Sequence, residues 1–161
     1  MAKVIFHPEA QQDYESGIEF MTARITINSL EIPKALEDAL RLGYWITPKN
    51  SDLWRSLFSS DEIVKPWLYD LNEMRRQNAN WVHESRPAYL GESIQGEPGN
   101  VDPKLSIIIG GLGPDRLIAL DFADDKSHPS VVALSGDDST WKRVAVDIEQ
   151  FIEILRLRAA S

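Results

Sequence analysis

From residue 104 onward the chain repeats one pattern: a short apolar run, then a cluster of Gly, Asp, Ser or Pro. The runs at 105–109, 116–122, 130–134 and 141–146 are separated by Gly110-Gly111-Leu112-Gly113-Pro114, by a stretch opening with Ala123-Asp124-Asp125, and by Ser135-Gly136-Asp137-Asp138. Runs of this length, bounded by turn residues, read as strands, and short loops between neighbours favour an antiparallel meander. Within 116–122, Leu117 and Ala119 alternate with Ile118 and Leu120. A strand that is apolar on both faces has to be central in its sheet and covered on both sides.

Helices supply that cover. Asp147 with Gln150 three residues later makes a capping-box pattern. Ile148, Phe151, Ile152 and Leu155 then form a buried stripe, and Arg156 and Arg158 suit the negative end of the helix dipole. Upstream, Pro33 opens a helix carrying Ala35, Leu36, Ala39 and Leu40, which stops at Gly43. Three further helical patterns are expected: 8–23 with Ala10, Tyr14, Ile18 and Met21; a short turn at 51–58 with Leu53, Trp54, Leu57 and Phe58; and 61–78 with Ile63, Val64, Trp67, Leu68, Leu71 and Met74. Pro66 belongs in the first turn of the last of these, or kinks it. The stretch 91–103 holds Gly91, Gly96, Pro98, Gly99 and Pro103 and reads as a long loop. The expected architecture is a single α+β domain over 1–161. A helical lobe at about 1–85 packs on an antiparallel or mixed sheet of at least four strands, closed by a C-terminal helix.

The 161 residues, 43% of them hydrophobic, suffice for one core without disulfide or metal. There is no cysteine, which excludes a disulfide scaffold, a Cys-based zinc site and a Cys nucleophile, and fits a reducing, cytoplasmic setting. The N-terminus lacks the apolar h-region of a signal peptide, and no run approaches a membrane span. Seventeen basic against 25 acidic residues leave a net charge of −8. That balance disfavours nucleic acid as a partner and steers a basic partner toward the chain, though mild acidity also serves solubility alone.

No motif carries catalysis. Gly110–Gly113 lacks the Lys-Ser/Thr ending of a phosphate loop and reads as a turn. His7, His83 and His128 have no second ligand at metal-binding spacing, so neither a metal nor a cofactor is expected. Asp121, Asp124, Asp125, Asp137 and Asp138 fall at strand ends or in the closing loops. Three readings stand side by side: calcium ligation, for which no segment has the required loop pattern; an acidic edge for a basic partner; and ordinary Asp turn chemistry. Of the tryptophans, Trp67 is expected in the core. Trp141, which opens a strand after a polar turn, is expected to be partly exposed and to anchor a partner.

Arg116-Leu117-Ile118-Ala119-Leu120-Asp121-Phe122, His128-Pro129-Ser130-Val131-Val132-Ala133-Leu134, Trp141-Lys142-Arg143-Val144-Ala145 and Phe151-Ile152-Glu153-Ile154-Leu155 together resemble the SUKH superfamily. That superfamily holds bacterial toxin-immunity proteins and fungal cell-wall assembly regulators. The shared pattern is a strand ending in Asp-aromatic, a Pro-x-Val strand, a Trp-led strand and a closing Phe-x-x-x-Leu helix, over about the last 50 residues. The resemblance implies an α+β fold and a non-enzymatic role: binding a toxin domain and blocking it. The residues themselves point to a protein-binding module with a basic partner. The alternative is a small-ligand binder or enzyme using a pocket between the helical lobe and the sheet. Candidate partner-binding residues are Asp137, Asp138, Trp141, Asp124 and Asp125. The two acidic pairs lie at opposite ends of the 130–134 strand, so only one can face a given partner, and Trp141 favours Asp137-Asp138.

Overall fold

The computed structural model describes residues 24–46, 67–93, 98–111, 116–135 and 139–155. The helices expected at 8–23 and 51–58 lie outside these residues, as do Asp137, Asp138, Arg156, Arg158 and most of the 112–115 turn's glycine-proline chemistry. Within them the chain is α+β. Hairpin β1 (Thr26–Ile27) and β2 (Leu30–Glu31) leads into α1 (Lys34–Leu42). Then come β3 (Trp67–Leu68), α2 (Leu71–Trp81), the short α3 (Pro87–Leu90) and β4 (Pro98–Gly99). A 3-10 turn at Pro103–Leu105 opens the run of β5 (Ser106–Gly111), β6 (Leu117–Asp121), β7 (Ser130–Leu134), β8 (Trp141–Ala145) and α4 (Ile148–Leu155).

The sheet has six strands in the order β3-β5-β6-β7-β8-β4, and every pairing is antiparallel. The four-strand meander read from the turn residues is its centre. Period-2 alternation sorts its side chains. Ile107, Ile118, Leu120, Val131 and Ala133 join the first core with the hairpin, α1, Met74 and α4. Ile108, Ala119, Val132, Leu134 and Trp141 join the second, with Trp81 and Val101. The register agrees: Leu120 lies between Ile107 and Val131, and Ala119 between Ile108 and Val132. Ile109, two residues from Ile107, lies on the first face as well, and the register with β6 shifts between Ile108 and Gly110.

The terminal helix starts as its capping box dictates. Asp147 Oδ1 accepts from Gln150 N–H at 2.8 Å, and Gln150 Oε1 accepts from Val146 N–H at 2.8 Å. Four of its eight residues, Ile148, Phe151, Ile152 and Leu155, are buried against the first face. Burying each of these large side chains stabilises the fold by about 1.5–3 kcal/mol. α1 begins after Pro33, whose extended backbone leads into the helix, and ends at Gly43 with φ +80°, a left-handed conformation suited to glycine.

Three expectations need correction. The single helix expected over 61–78 is interrupted: its residues 61–66 lie outside the described residues, Trp67 and Leu68 pair with Gly111 and Gly110 as strand β3, and α2 runs from Leu71 to Trp81. Asp70 sets that start, its carboxylate accepting from Glu73 N–H at 2.8 Å. Trp67 is not core. In a strand alternate residues face opposite ways, so Leu68 is buried while Trp67 is 68% exposed. The 91–103 stretch is not wholly loop, because Pro98–Gly99 pairs with Trp141 and Lys142 as the other edge strand. Pro98 sits on an edge strand, where proline is tolerated. Gly91 lies against this strand with φ +79°; a Cβ there would stand 2.2 Å from the Gly99 carbonyl oxygen, so only glycine allows the approach.

Asn78 joins α2 to the backbone of the sheet. β3 ends at Leu68, opposite Gly110, leaving the outer edge of β5 from Ile109 back toward Ser106 without a strand partner among the described residues. Tyr69 N–H donates to Ile109 C=O at 2.9 Å. The fully buried Asn78 then takes over. Its Oδ1 accepts from Ile108 N–H at 2.8 Å, and its Nδ2 donates to Ile108 C=O at 2.9 Å and to Met74 C=O at 2.7 Å. Replacing Asn78 with Leu strands two buried backbone groups, and we expect a loss of about 2–4 kcal/mol. Asn78→Asp keeps the acceptor but sets a carboxylate against the two carbonyls, and we expect at least as large a loss. Urea unfolding midpoints at constant m-value measure both.

Candidate interaction surface

β6 and β7 are joined through residues 122–129, and this turn carries the acids Asp124 and Asp125. Asp125 folds it: Oδ1 accepts from Ser127 N–H at 2.8 Å and His128 N–H at 3.1 Å. These bonds hold its carboxyl below the ordinary range, with Ser127 N–H the larger cause. His128 Nδ1 approaches Asp125 Oδ2 at 3.4 Å. Asp124 stands out from the turn with its side chain 86% exposed and its carboxylate 3.7 Å from the Arg143 guanidinium of β8. An exposed pair at that distance contributes about 0–1 kcal/mol.

Behind them, at the end of β6, lies Asp121, only 6% exposed. Its Oδ1 accepts from Ala123 N–H at 3.0 Å. Its other oxygen has no hydrogen-bond or ion-pair partner among the described residues. Burial pushes the Asp121 carboxyl above its ordinary value; Asp124 and Asp102 add to the rise, while the Ala123 bond and Arg143 oppose it. Asp121, Asp124, Asp125, His128, Ser130, Arg143 and Val146 line a cavity of about 130 Å³.

Of the expected binding residues, the structure therefore brings Asp124 and Asp125 together with Asp121 and Arg143. Asp137 and Asp138 lie outside the described residues. Trp141 is corrected outright. It is fully buried in the second core, edge-on to Trp81 at 6.0 Å between ring centroids, and its Nε1–H donates to Tyr89 C=O at 2.7 Å. Packing against the sheet's second face and the α3 segment consumes both its ring and its polar handle, so it cannot anchor a partner. The reason for favouring Asp137-Asp138 falls with it. Asp121 was legible only as one acid among five; its burial follows from pairing with Ser130 and Ser106 across two neighbouring strands.

A larger cavity of about 260 Å³ opens between the hairpin, the start of α1, residues 126–129 and the start of α4. Its charges are mostly engaged: Arg24 contacts Glu31 and the buried Glu37, Lys34 contacts Asp38 at 2.7 Å, and Asp147 caps α4. It falls below the roughly 300–1,000 Å³ of ordinary ligand pockets. Among the described residues no group of three or more His, Asp or Glu is placed to hold a metal ion, and no helix is long and apolar enough to cross a membrane.

The raised Asp121 value has a sign. In the fold the ionised form is disfavoured, so stability present in acid is lost as pH rises from 3.8, the ordinary value, through the raised one. Asp121→Asn removes the charge and keeps an oxygen for Ala123 N–H. We expect its melting temperature at about pH 7 to equal or exceed the parent's, with the gap closing at about pH 3 where Asp121 is protonated in both states. Thermal unfolding across that range measures it.

No family model matches the chain, and no curated protein or solved structure matches it.

Proposed function

We propose that this chain is a non-enzymatic protein-binding module of the SUKH kind, an immunity protein that binds a basic toxin domain in the cytoplasm and neutralises it. The observation that carries the reading is the acidic end of the sheet: Asp121, Asp124 and Asp125 share one cavity in which Arg143 supplies the only permanent positive charge among the described residues that line it. A net charge of −8 adds a long-range field of the same sign. The turn that presents the acids is braced by Asp125's two backbone bonds and stands on a sheet buried on both faces, and a rigid scaffold bearing charged loops is the usual setting for recognition.

The test uses the basic domains of secreted proteins encoded by the genes that flank this one, any of which that forms a complex being taken as the toxin domain. Asn can still accept the Ser127 and His128 N–H bonds, so Asp124→Asn/Asp125→Asn should keep the fold, at a cost of about 1 kcal/mol for the lost charge on Asp125. Stopped-flow association at low salt should slow by about tenfold, with a shallower salt dependence. An unchanged rate removes this turn as the interface. Failure of any basic domain to form a complex overturns the reading itself.

A further inference from the structure

We propose that the cavity behind the β6–β7 turn is an anchor pocket for one arginine side chain of the partner, with Asp121 as the buried counter-ion. This rests on the reading of a basic partner and says where that partner's binding energy is concentrated.

Four observations meet here. Asp121 is 6% exposed and lines the cavity. Only one of its oxygens is engaged, by Ala123 N–H, and a buried carboxylate oxygen without a donor is costly. The space of about 130 Å³ is roughly ten times what one water needs, enough for a planar guanidinium. The entrance carries Asp124 and Asp125, both well exposed, which draw a cation inward. The chain's own cation fills the role only in part: Arg143 lies 3.7 Å from Asp124 and its charge opposes the rise at Asp121, but burial outweighs it and the carboxyl stays above its ordinary value. A metal ion is a poorer occupant, since no three ligands converge among the described residues.

An arginine entering the pocket gives the free oxygen a charge-assisted donor and offsets the desolvation that holds the Asp121 carboxyl above its ordinary value. Its remaining N–H groups face Asp124 and Asp125. A fully desolvated pair at the centre of an interface is where truncation costs most, whereas rim charges mainly set the association rate. Asp121 therefore governs dissociation, and Asp124 and Asp125 govern encounter.

The probes are capped Gly-Arg-Gly, Gly-Lys-Gly and Gly-citrulline-Gly peptides, read by the carboxyl carbon resonance of Asp121. The groups facing that carboxyl are Ala123 N–H, Asp102, Asp124, Arg143 and, across the cavity, Asp125 and His128. We expect Gly-Arg-Gly to shift the resonance saturably and to lower the pH at which Asp121 titrates. Gly-Lys-Gly should do so more weakly, and the uncharged citrulline peptide not at all. Asp121→Asn, which keeps the fold, should weaken the arginine peptide by at least tenfold and quicken dissociation of the toxin domain. Equal effects of the arginine and citrulline peptides, or no saturable shift, overturn the pocket. If the toxin domain dissociates from Asp121→Asn at the parent rate while Asp124→Asn/Asp125→Asn slows its association, the basic-partner reading stands and the arginine pocket falls.

Discussion

The structure turns on the amide of Asn78. β3 is only two residues long, so the outer edge of β5 would otherwise bury an unpaired N–H and C=O at Ile108 beneath α2. Unsatisfied backbone groups in a core are scarcely tolerated. Asn78 supplies donor and acceptor at the spacing a strand would, and it does so from a helix. Its backbone oxygen also accepts from Asn28 at the tip of the β1–β2 hairpin, at 2.9 Å. Hairpin, α2 and sheet edge are therefore locked at a single residue. With α2 held there, Met74 reaches the first core while Trp81, at the helix end, reaches the second.

The sheet's two apolar faces are covered by different means. The first takes the hairpin, α1 and α4, which bring Leu36, Phe151 and Ile152 onto Ile118 and Leu120. The second has no long helix of its own among the described residues. It is closed by Trp81, Trp141 and the chain through α3 and β4. Trp81 Nε1–H donates to Ser106 Oγ at 2.9 Å, Trp141 Nε1–H to Tyr89 C=O, and Arg86 stacks over the Tyr89 ring at 4.3 Å. Glu84 holds Arg86 by two side-chain bonds of 2.8 Å, and that guanidinium draws the Glu84 carboxyl down to about 2. Aromatic rings do here what a helix does on the other side.

The ends of the sheet are built from turns instead. Both faces are occupied, and the β4 edge carries proline. Among the described residues the β6–β7 turn combines exposed acids with a buried one. The same strand-end geometry that closes the meander, Asp121 opposite Ser130 and Ser106, drives that carboxylate into a low-dielectric position. Structural closure and electrostatic strain thus arise at one residue.

Local chemistry alone determined the elements whose signals lie within a few residues: the four meander strands, the Asp147–Gln150 cap, the Pro33–Gly43 helix and the centrality of 116–122. Asp70 with Glu73 three residues on marked the start of α2 equally plainly, but the apolar spacing of Trp67, Leu68, Leu71 and Met74 imitated a continuous helical stripe across it. Tertiary structure alone decided the rest. Whether Trp67 or Trp141 is buried depends on which sheet position each occupies, edge or interior, and no local pattern encodes that. Two-residue strands such as Trp67–Leu68 and Pro98–Gly99 exist only because a longer strand lies alongside to pair with them. The pocket of Asp121, Asp124, Asp125 and Arg143 joins residues from β6, its following turn and β8, because antiparallel pairing through β7 returns the chain to the same end of the sheet.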